Sequence, residues 1–268
     1  MSKTEIRALL TFFALTFGWT WGLWAIVTFR GLGLTGLGGV LLLASAFGPS
    51  LAAAVTVLAF EGKAGFGRWL RRSLHLRVGW LWYGLALFTP PLLIFAALGI
   101  HVALGGALQP SSLQGSTLTA LLVFVQITLL GGPLGEEFGW RGYALPVMSK
   151  PIGWRWAAII VGCIWAVWHL PLFYMAGMAQ ANLPMGLFMA SNIALSVVFA
   201  RLSVNTGFSV LPAILLHGVI NWSAIVLPVM PVGGDTRPYT IAVTLLILSA
   251  VIAILKSGPL KVTQGNPT

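Results

Sequence analysis

The side chains in this sequence that could do chemistry lie mostly in three short segments. These segments read Glu136-Glu137-Phe-Gly-Trp-Arg141, Trp165-Ala-Val-Trp-His169 and His217-Gly-Val-Ile-Asn221. A carboxylate near a histidine can act as general base on water, while a histidine or an asparagine can donate to a developing oxyanion. The same set offers a zinc shell with one open position, formed by Glu136, His169 and His217. The residues alone leave open whether the cofactor is zinc or none.

Helical spacing separates the two adjacent glutamates. Glu137 and Arg141 are four residues apart, so they share a helix face and can form an ion pair. Glu136 is rotated about 100° from Glu137 and faces a different partner. Trp165 and His169 are also four residues apart and share a face, and the same spacing applies to His217 and Asn221. We therefore expect Glu137, Arg141 and Trp165 to support the reactive groups.

The sequence lacks the residues that metal-dependent, aspartyl and serine intramembrane proteases of known types require. The sequence contains no His-Glu-x-x-His segment, and an aspartyl pair would need a second aspartate beside Asp235. Ser209 follows Gly207-Phe, but it lies near the end of an apolar segment without a convincing turn.

The composition predicts an all-α polytopic integral membrane protein. Apolar residues make up 58% of the chain and charged residues 7%, and the mean hydropathy is +0.94. Soluble domains carry about 25% charged residues, so this chain cannot cover itself with a water-facing surface. A bilayer core needs about 20 apolar helical residues. About eight such transmembrane helices in one bundle are predicted, at about 8–29, 34–60, 79–105, 118–147, 156–176, 185–204, 208–230 and 239–255.

Depth along these predicted spans brings the three segments together. At about 1.5 Å per residue, Glu136 lies roughly 16 Å, His169 roughly 20 Å and His217 roughly 14 Å from the cytoplasmic ends of their spans. Ionisable groups at membrane depth are costly and are candidates for function. We expect the three side chains to meet in one layer.

The basic residues orient the bundle and argue against a nucleic-acid partner. The net charge is +10, but Lys and Arg lie mostly between the apolar segments, where they indicate topology. Arg30 and Arg237 fall on the outer side. The other 13 place both termini in the cytoplasm, at a plasma membrane if the host is prokaryotic: Lys3, Arg7, Lys63, Arg68, Arg71, Arg72, Arg77, Arg141, Lys150, Arg155, Arg201, Lys256 and Lys261.

The chain is predicted to form a single transmembrane domain over 1–268, with the motif-bearing core at 130–222. Within it, the segment 61–78 interleaves basic residues with Trp69, Leu70 and Leu74, which predicts a cytoplasmic amphipathic helix at the interface. A single cysteine, Cys163, excludes a disulfide framework. No small-residue face indicates an oligomeric state.

The three segments resemble the motifs of the CPBP family, the CAAX-protease-and-bacteriocin-processing (Abi) intramembrane proteases. These motifs are Glu-Glu-x-x-x-Arg, an aromatic residue four residues before a His, and His-x-x-x-Asn, and they occur here in order over about 130–222. Trp165 stands where the family commonly has Phe.

The resemblance implies an endopeptidase acting on a peptide or protein at the membrane, similar to the prenyl-protein (type II CAAX) endopeptidases. Glu136 and His169 would activate water, and His217 and Asn221 would stabilise the oxyanion. Arg141 would pair with Glu137 and order the motif. The analogy favours a metal-independent reaction. The alternative function is a non-proteolytic scaffold, immunity protein or transporter that uses the same polar cluster.

Overall fold

The computed structural model describes residues 1–111 and 115–256, and this part of the chain is helical, without a named strand. The helices are α1 (Lys3–Phe29), α2 (Gly36–Ala46), α3 (Gly48–Ser73), α4 (Trp80–Ala103), α5 (Thr117–Leu130), α6 (Pro133–Gly139), α7 (Leu145–Trp168), α8 (Met185–Asn205), α9 (Leu211–Val226) and α10 (Arg237–Leu255). A π-helical turn, Trp140–Ala144, joins α6 to α7. Two 3-10 turns, Leu170–Tyr174 and Ala179–Asn182, precede α8.

The helices make the protein an integral, multi-pass membrane protein. Five helical stretches of the described chain are long and apolar enough to cross a bilayer: α1, α4, Thr117–Tyr174, α8 and α10. The pair α2 and α3, bent by 49°, makes a sixth candidate. Helix α9 is apolar but has only 16 residues. The all-α membrane class predicted from composition is thus confirmed.

Two predicted segments differ in detail from the structure. The predicted span 118–147 is interrupted at Gly132, whose φ of 120° favours glycine, and again by the π-helical turn. The segment 61–78 includes the distal part of α3, beyond a kink at Gly62. Trp69 is buried there and packs against Phe138 of α6 at 5.8 Å between ring centroids. This contact places the segment against the motif-bearing helix.

Large aromatic side chains form the core between α1, the π-helical turn and α7. Phe12 lies edge-on to Trp140 at 5.8 Å between ring centroids, and Trp140 lies 6.0 Å from Trp168. Trp24 packs on Trp168 from the other side, at 5.4 Å. Because these rings are almost fully buried, they hold the end of α7 in a defined position next to His169.

Contacts between helix ends bring two basic residues of α7 to the end of the bundle that holds the start of α1 and the end of α10. Lys150 near the start of α7 lies 3.8 Å from Glu5 of α1, and Arg155 donates to the carbonyl of Ile254 near the end of α10. Arg141 does not belong to this group, although the sequence count included it, because it is 1% exposed. Lys261 lies outside the described residues.

Candidate active site

Helix α6 carries both glutamates and fits closely against the junction of α2 and α3. A Cβ atom at Gly135 would collide with the carbonyl of Ala46, and one at Gly139 would lie 2.5 Å from the carbonyl carbon of Pro49. Glycines four residues apart allow this approach of two helix backbones. The Gly-x-x-x-Gly pattern that brackets the glutamates was the sequence signal for this packing, and the sequence analysis missed it.

Two side chains from the distal part of α3 hold the π-helical turn after α6 in place. The carbonyl of Gly142 accepts hydrogen bonds from the indole of Trp69, at 3.1 Å, and from the guanidinium of Arg72. Such turns occur often at functional sites. Here the turn contains Arg141 and directs its side chain into the interior.

Glu137 and Arg141 form the ion pair that their spacing predicts. Nη1 of Arg141 donates to Oε1 of Glu137 at 3.0 Å, and neither side chain is more than 1% exposed. The guanidinium lies between two aromatic faces, 4.4 Å from the ring centre of Trp165 and 4.0 Å from that of Phe199. Phe199 was not predicted, because no sequence pattern relates it to Arg141.

Glu137 also binds His217, which the sequence did not predict. Nδ1 of His217 lies 2.7 Å from Oε1 of Glu137. A carboxylate accepts hydrogen bonds, so Nδ1 carries the proton and donates. In a neutral ring Nε2 then holds a lone pair, and Nε2 can donate only when the ring is doubly protonated.

Glu136 turns away from this ion pair. Its Oε2 accepts a hydrogen bond of 2.7 Å from the indole of Trp165. Its Oε1 lies beside Gly132, where a Cβ atom would approach it to 2.6 Å. Among the described residues no donor reaches Oε1. One oxygen of Glu136 is therefore held and the other is free to act.

His169 follows the last residue of α7, and a backbone carbonyl one turn earlier holds its ring. Nδ1 lies 2.8 Å from the carbonyl of Trp165, which can only accept, so Nδ1 donates and Nε2 holds the lone pair in a neutral ring. The imidazole packs edge-on against Trp168 at 4.7 Å and Phe188 at 5.4 Å between ring centroids. These contacts fix the ring plane.

One cavity of about 430 Å³ joins the predicted catalytic residues. Its lining includes Glu136, Trp165, His169, His217 and Asn221, while Glu137 and Arg141 lie behind the wall. The polar groups form a small part of an otherwise mainly apolar surface, which is typical of ligand sites. The three motifs therefore meet at one cavity, as the depths of their residues in the predicted spans indicated.

The residues do not fit a bound metal ion. Within residues 1–111 and 115–256, no group of three His, Cys, Asp or Glu side chains is arranged to hold one. The zinc shell that the sequence left open has no geometric support.

Comparison with known proteins agrees with this site. Residues 118–223 match the family described as Rce1-like type II CAAX prenyl endopeptidase. The CAAX prenyl protease 2 of Methanococcus maripaludis is 25% identical over 169 residues, which cover 60% of this chain and 61% of that protein. The matched family segment contains every predicted site residue, from Glu136 to Asn221. Over the segment that carries its three motifs, the chain is therefore similar to CAAX-type membrane proteases.

Proposed function

We propose that the chain is an intramembrane endopeptidase that hydrolyses a peptide bond of a membrane-associated substrate. The observation that carries this proposal is the convergence of Glu136, His169, His217 and Asn221, from three helical segments, on one cavity. Similarity to the CAAX prenyl endopeptidases over residues 118–223 supports the reaction class. The substrate is a peptide held at the bilayer by a lipid group or by an apolar leader segment, because the cavity wall is mainly apolar.

Water activation falls to Glu136 and His169. Oε1 of Glu136 accepts a proton from water, and Nε2 of His169 accepts the second hydrogen bond that orients the water molecule. The water oxygen bonds to the carbonyl carbon of the substrate. When the C–N bond breaks, Glu136 returns the proton to the leaving amine. The reaction consumes one water molecule, and the proton that Glu136 accepts ends on the amine.

Oxyanion stabilisation falls to His217 and Asn221. The amide of Asn221 is a donor in any state, whereas Nε2 of His217 donates only in the imidazolium form. Glu137 is the carboxylate that faces His217, because its Oε1 accepts the hydrogen bond from Nδ1 at 2.7 Å. Preorganised donors of this kind contribute about 100- to 1000-fold to a rate.

We further propose eight membrane crossings, with the start of α1 and the end of α10 in the cytoplasm. The stretch Thr117–Tyr174 has 58 residues, more than two crossings require. Arg30 and Arg237 lie at the opposite end from the remaining basic residues outside the core. Those residues are Lys3, Arg7, Lys63, Arg68, Arg71, Arg72, Arg77, Lys150, Arg155, Arg201 and Lys256.

Protein termini in host membranes test the proposed function. Wild-type protein is compared with Glu136→Gln at matched expression, and Glu61→Gln serves as control because Glu61 is exposed on α3. New termini should arise with wild type and with the control but not with Glu136→Gln. Identical termini in all three membranes, with every protein inserted, would instead favour a scaffold or transporter.

A further inference from the structure

The cavity lining includes further polar side chains besides the catalytic groups. Gln180, Ser191, Asn192 and Tyr239 all line the cavity, and none of them carries a charge. Relying on the proposed endopeptidase function, we propose that Gln180 and Asn192 form a neutral subsite that hydrogen-bonds the main chain of the substrate peptide near the scissile bond.

Gln180 supplies a buried acceptor that lacks a donor. It lies in the 3-10 turn Ala179–Asn182 between α7 and α8. Its Oε1 is buried, and no group of the described chain donates to it. Leaving such an atom unpaired is unfavourable, so a ligand that brings an N–H group gains affinity there. A peptide main chain brings one at nearly every residue.

Asn192 supplies a second acceptor on α8. The residue is 3% exposed, and its Nδ2 donates to the carbonyl of Phe188 on the same helix at 2.9 Å. That bond orients the amide and leaves Oδ1 without a donor among the described residues. Ser191 donates to the same carbonyl at 2.8 Å and also interacts with Tyr239 of α10.

The position of Asn192 relates the subsite to the catalytic groups. The ring of Phe188 packs on His169, and Asn192 follows Phe188 by four residues, a rise of about 6 Å along the helix. An extended peptide advances about 3.3 Å per residue. Asn192 is therefore placed to bind a peptide group about two residues from the bond that His169 faces.

The charge of the cavity wall defines the class of ligand group. Among the described residues that line the cavity, none is Lys or Arg, and the guanidinium of Arg141 lies behind the wall. A free carboxylate at the subsite would have no counter-charge and would lose its hydration. Neutral amide acceptors instead match peptide N–H groups, so the subsite binds an internal stretch of main chain.

Two variants and two matched controls test the subsite. Asn192→Leu and Gln180→Leu each remove an amide with little change in volume. Asn205→Leu is the control for the first, because Asn205 also lies on α8 and its Nδ2 donates to the carbonyl of Arg201, but its side chain is exposed. Gln126→Leu, on the exposed face of α5, is the control for the second.

The probe is a quenched fluorescent, S-prenylated CAAX-type peptide, assayed with purified protein in liposomes. We expect each subsite variant to raise KM about 10-fold with kcat within about twofold, as loss of one ground-state hydrogen bond predicts. Both controls should keep the wild-type constants. Thermal unfolding of all four variants verifies that folding is retained.

A series of probes in which one amide at a time is replaced by an ester locates the contact. Wild type should lose about 10-fold in kcat/KM at one position within two residues of the scissile bond, and Asn192→Leu or Gln180→Leu should show no further loss there. Equal ester effects in every protein, or unchanged KM in both variants, would overturn the subsite. Cleavage of the parent probe by Glu136→Gln at the wild-type rate would instead overturn the proposed function.

Discussion

The indole of Trp165 donates a hydrogen bond of 2.7 Å to Oε2 of Glu136, and both side chains are less than 5% exposed. The bond distinguishes the two oxygens of the carboxylate, since only Oε1 remains available to water. A Phe at position 165, the residue that the family commonly has there, could fill the space but could not donate. In this chain the aromatic residue of the second motif thus has a polar role as well.

Trp165→Phe should lower kcat about 10-fold or more and change KM little. The substitution keeps the aromatic packing but removes a hydrogen bond to a charged group, a bond worth about 1.5–3 kcal/mol. Steady-state kinetics with the prenylated probe provide the measurement. Trp19→Phe is the control, because its indole also donates a hydrogen bond, to the carbonyl of Ala44 at 2.9 Å, but Trp19 does not line the cavity. A kcat equal to that of wild type would exclude the positioning role.

Glu137→Gln should lower both stability and activity. Arg141 would lose its direct ion-pair partner in a buried site, a change that typically costs about 3–5 kcal/mol, and His217 would lose its carboxylate. The double variant Glu137→Gln/Arg141→Met should recover much of the stability but not the activity. Thermal unfolding in detergent and the peptide assay separate the two effects. Full activity of the double variant would contradict the role of Glu137 in supporting His217.

Chelators should leave activity unchanged. Glu136, His169 and His217 are not arranged to hold a metal ion, and the proposed reaction needs only protein groups. Purified protein should contain far less than one zinc per chain by elemental analysis. It should retain its kcat after dialysis against 1,10-phenanthroline. Loss of activity that added zinc restores would show that the proposed mechanism is wrong.

Gly139→Ala should destabilise the fold by about 1–3 kcal/mol, the range typical of overpacking. A methyl group there meets the backbone and the ring of Pro49, which cannot move aside as a flexible side chain could. Gly22→Ala on α1 is the matched control, since nothing lies within 4 Å of a Cβ atom at that position. The control should be neutral or stabilising by up to about 1 kcal/mol. The unfolding midpoint of Gly139→Ala should fall below that of wild type, and the midpoint of Gly22→Ala should stay equal to it or rise.

Cysteine labelling checks the proposed orientation. In a Cys163→Ser background, Arg237→Cys should react with a membrane-impermeant maleimide added to intact cells. Lys150→Cys should react only after the cells are opened, because it lies at the end of the bundle that carries most basic residues. The reverse pattern would invert the proposed topology.

The sequence by itself determined the membrane class and the helical content, and it supplied the candidate residues of the site. Composition and local spacing suffice for these features, because a bilayer excludes other secondary structures and side chains four residues apart on a helix share a face. The pairing of Glu137 with Arg141 follows from that spacing alone. The convergence of Glu136, His169 and His217 required only the depth of each residue in its span.

Only the tertiary structure decided which partner each reactive group has. The contacts of Trp165 with Glu136, of His217 with Glu137 and of Phe199 with Arg141 join residues 29 to 80 positions apart. These contacts depend on how the helices rotate and approach one another. That arrangement is set by packing over the whole bundle, including the break at Gly132 and the π-helical turn, and no local pattern specifies it.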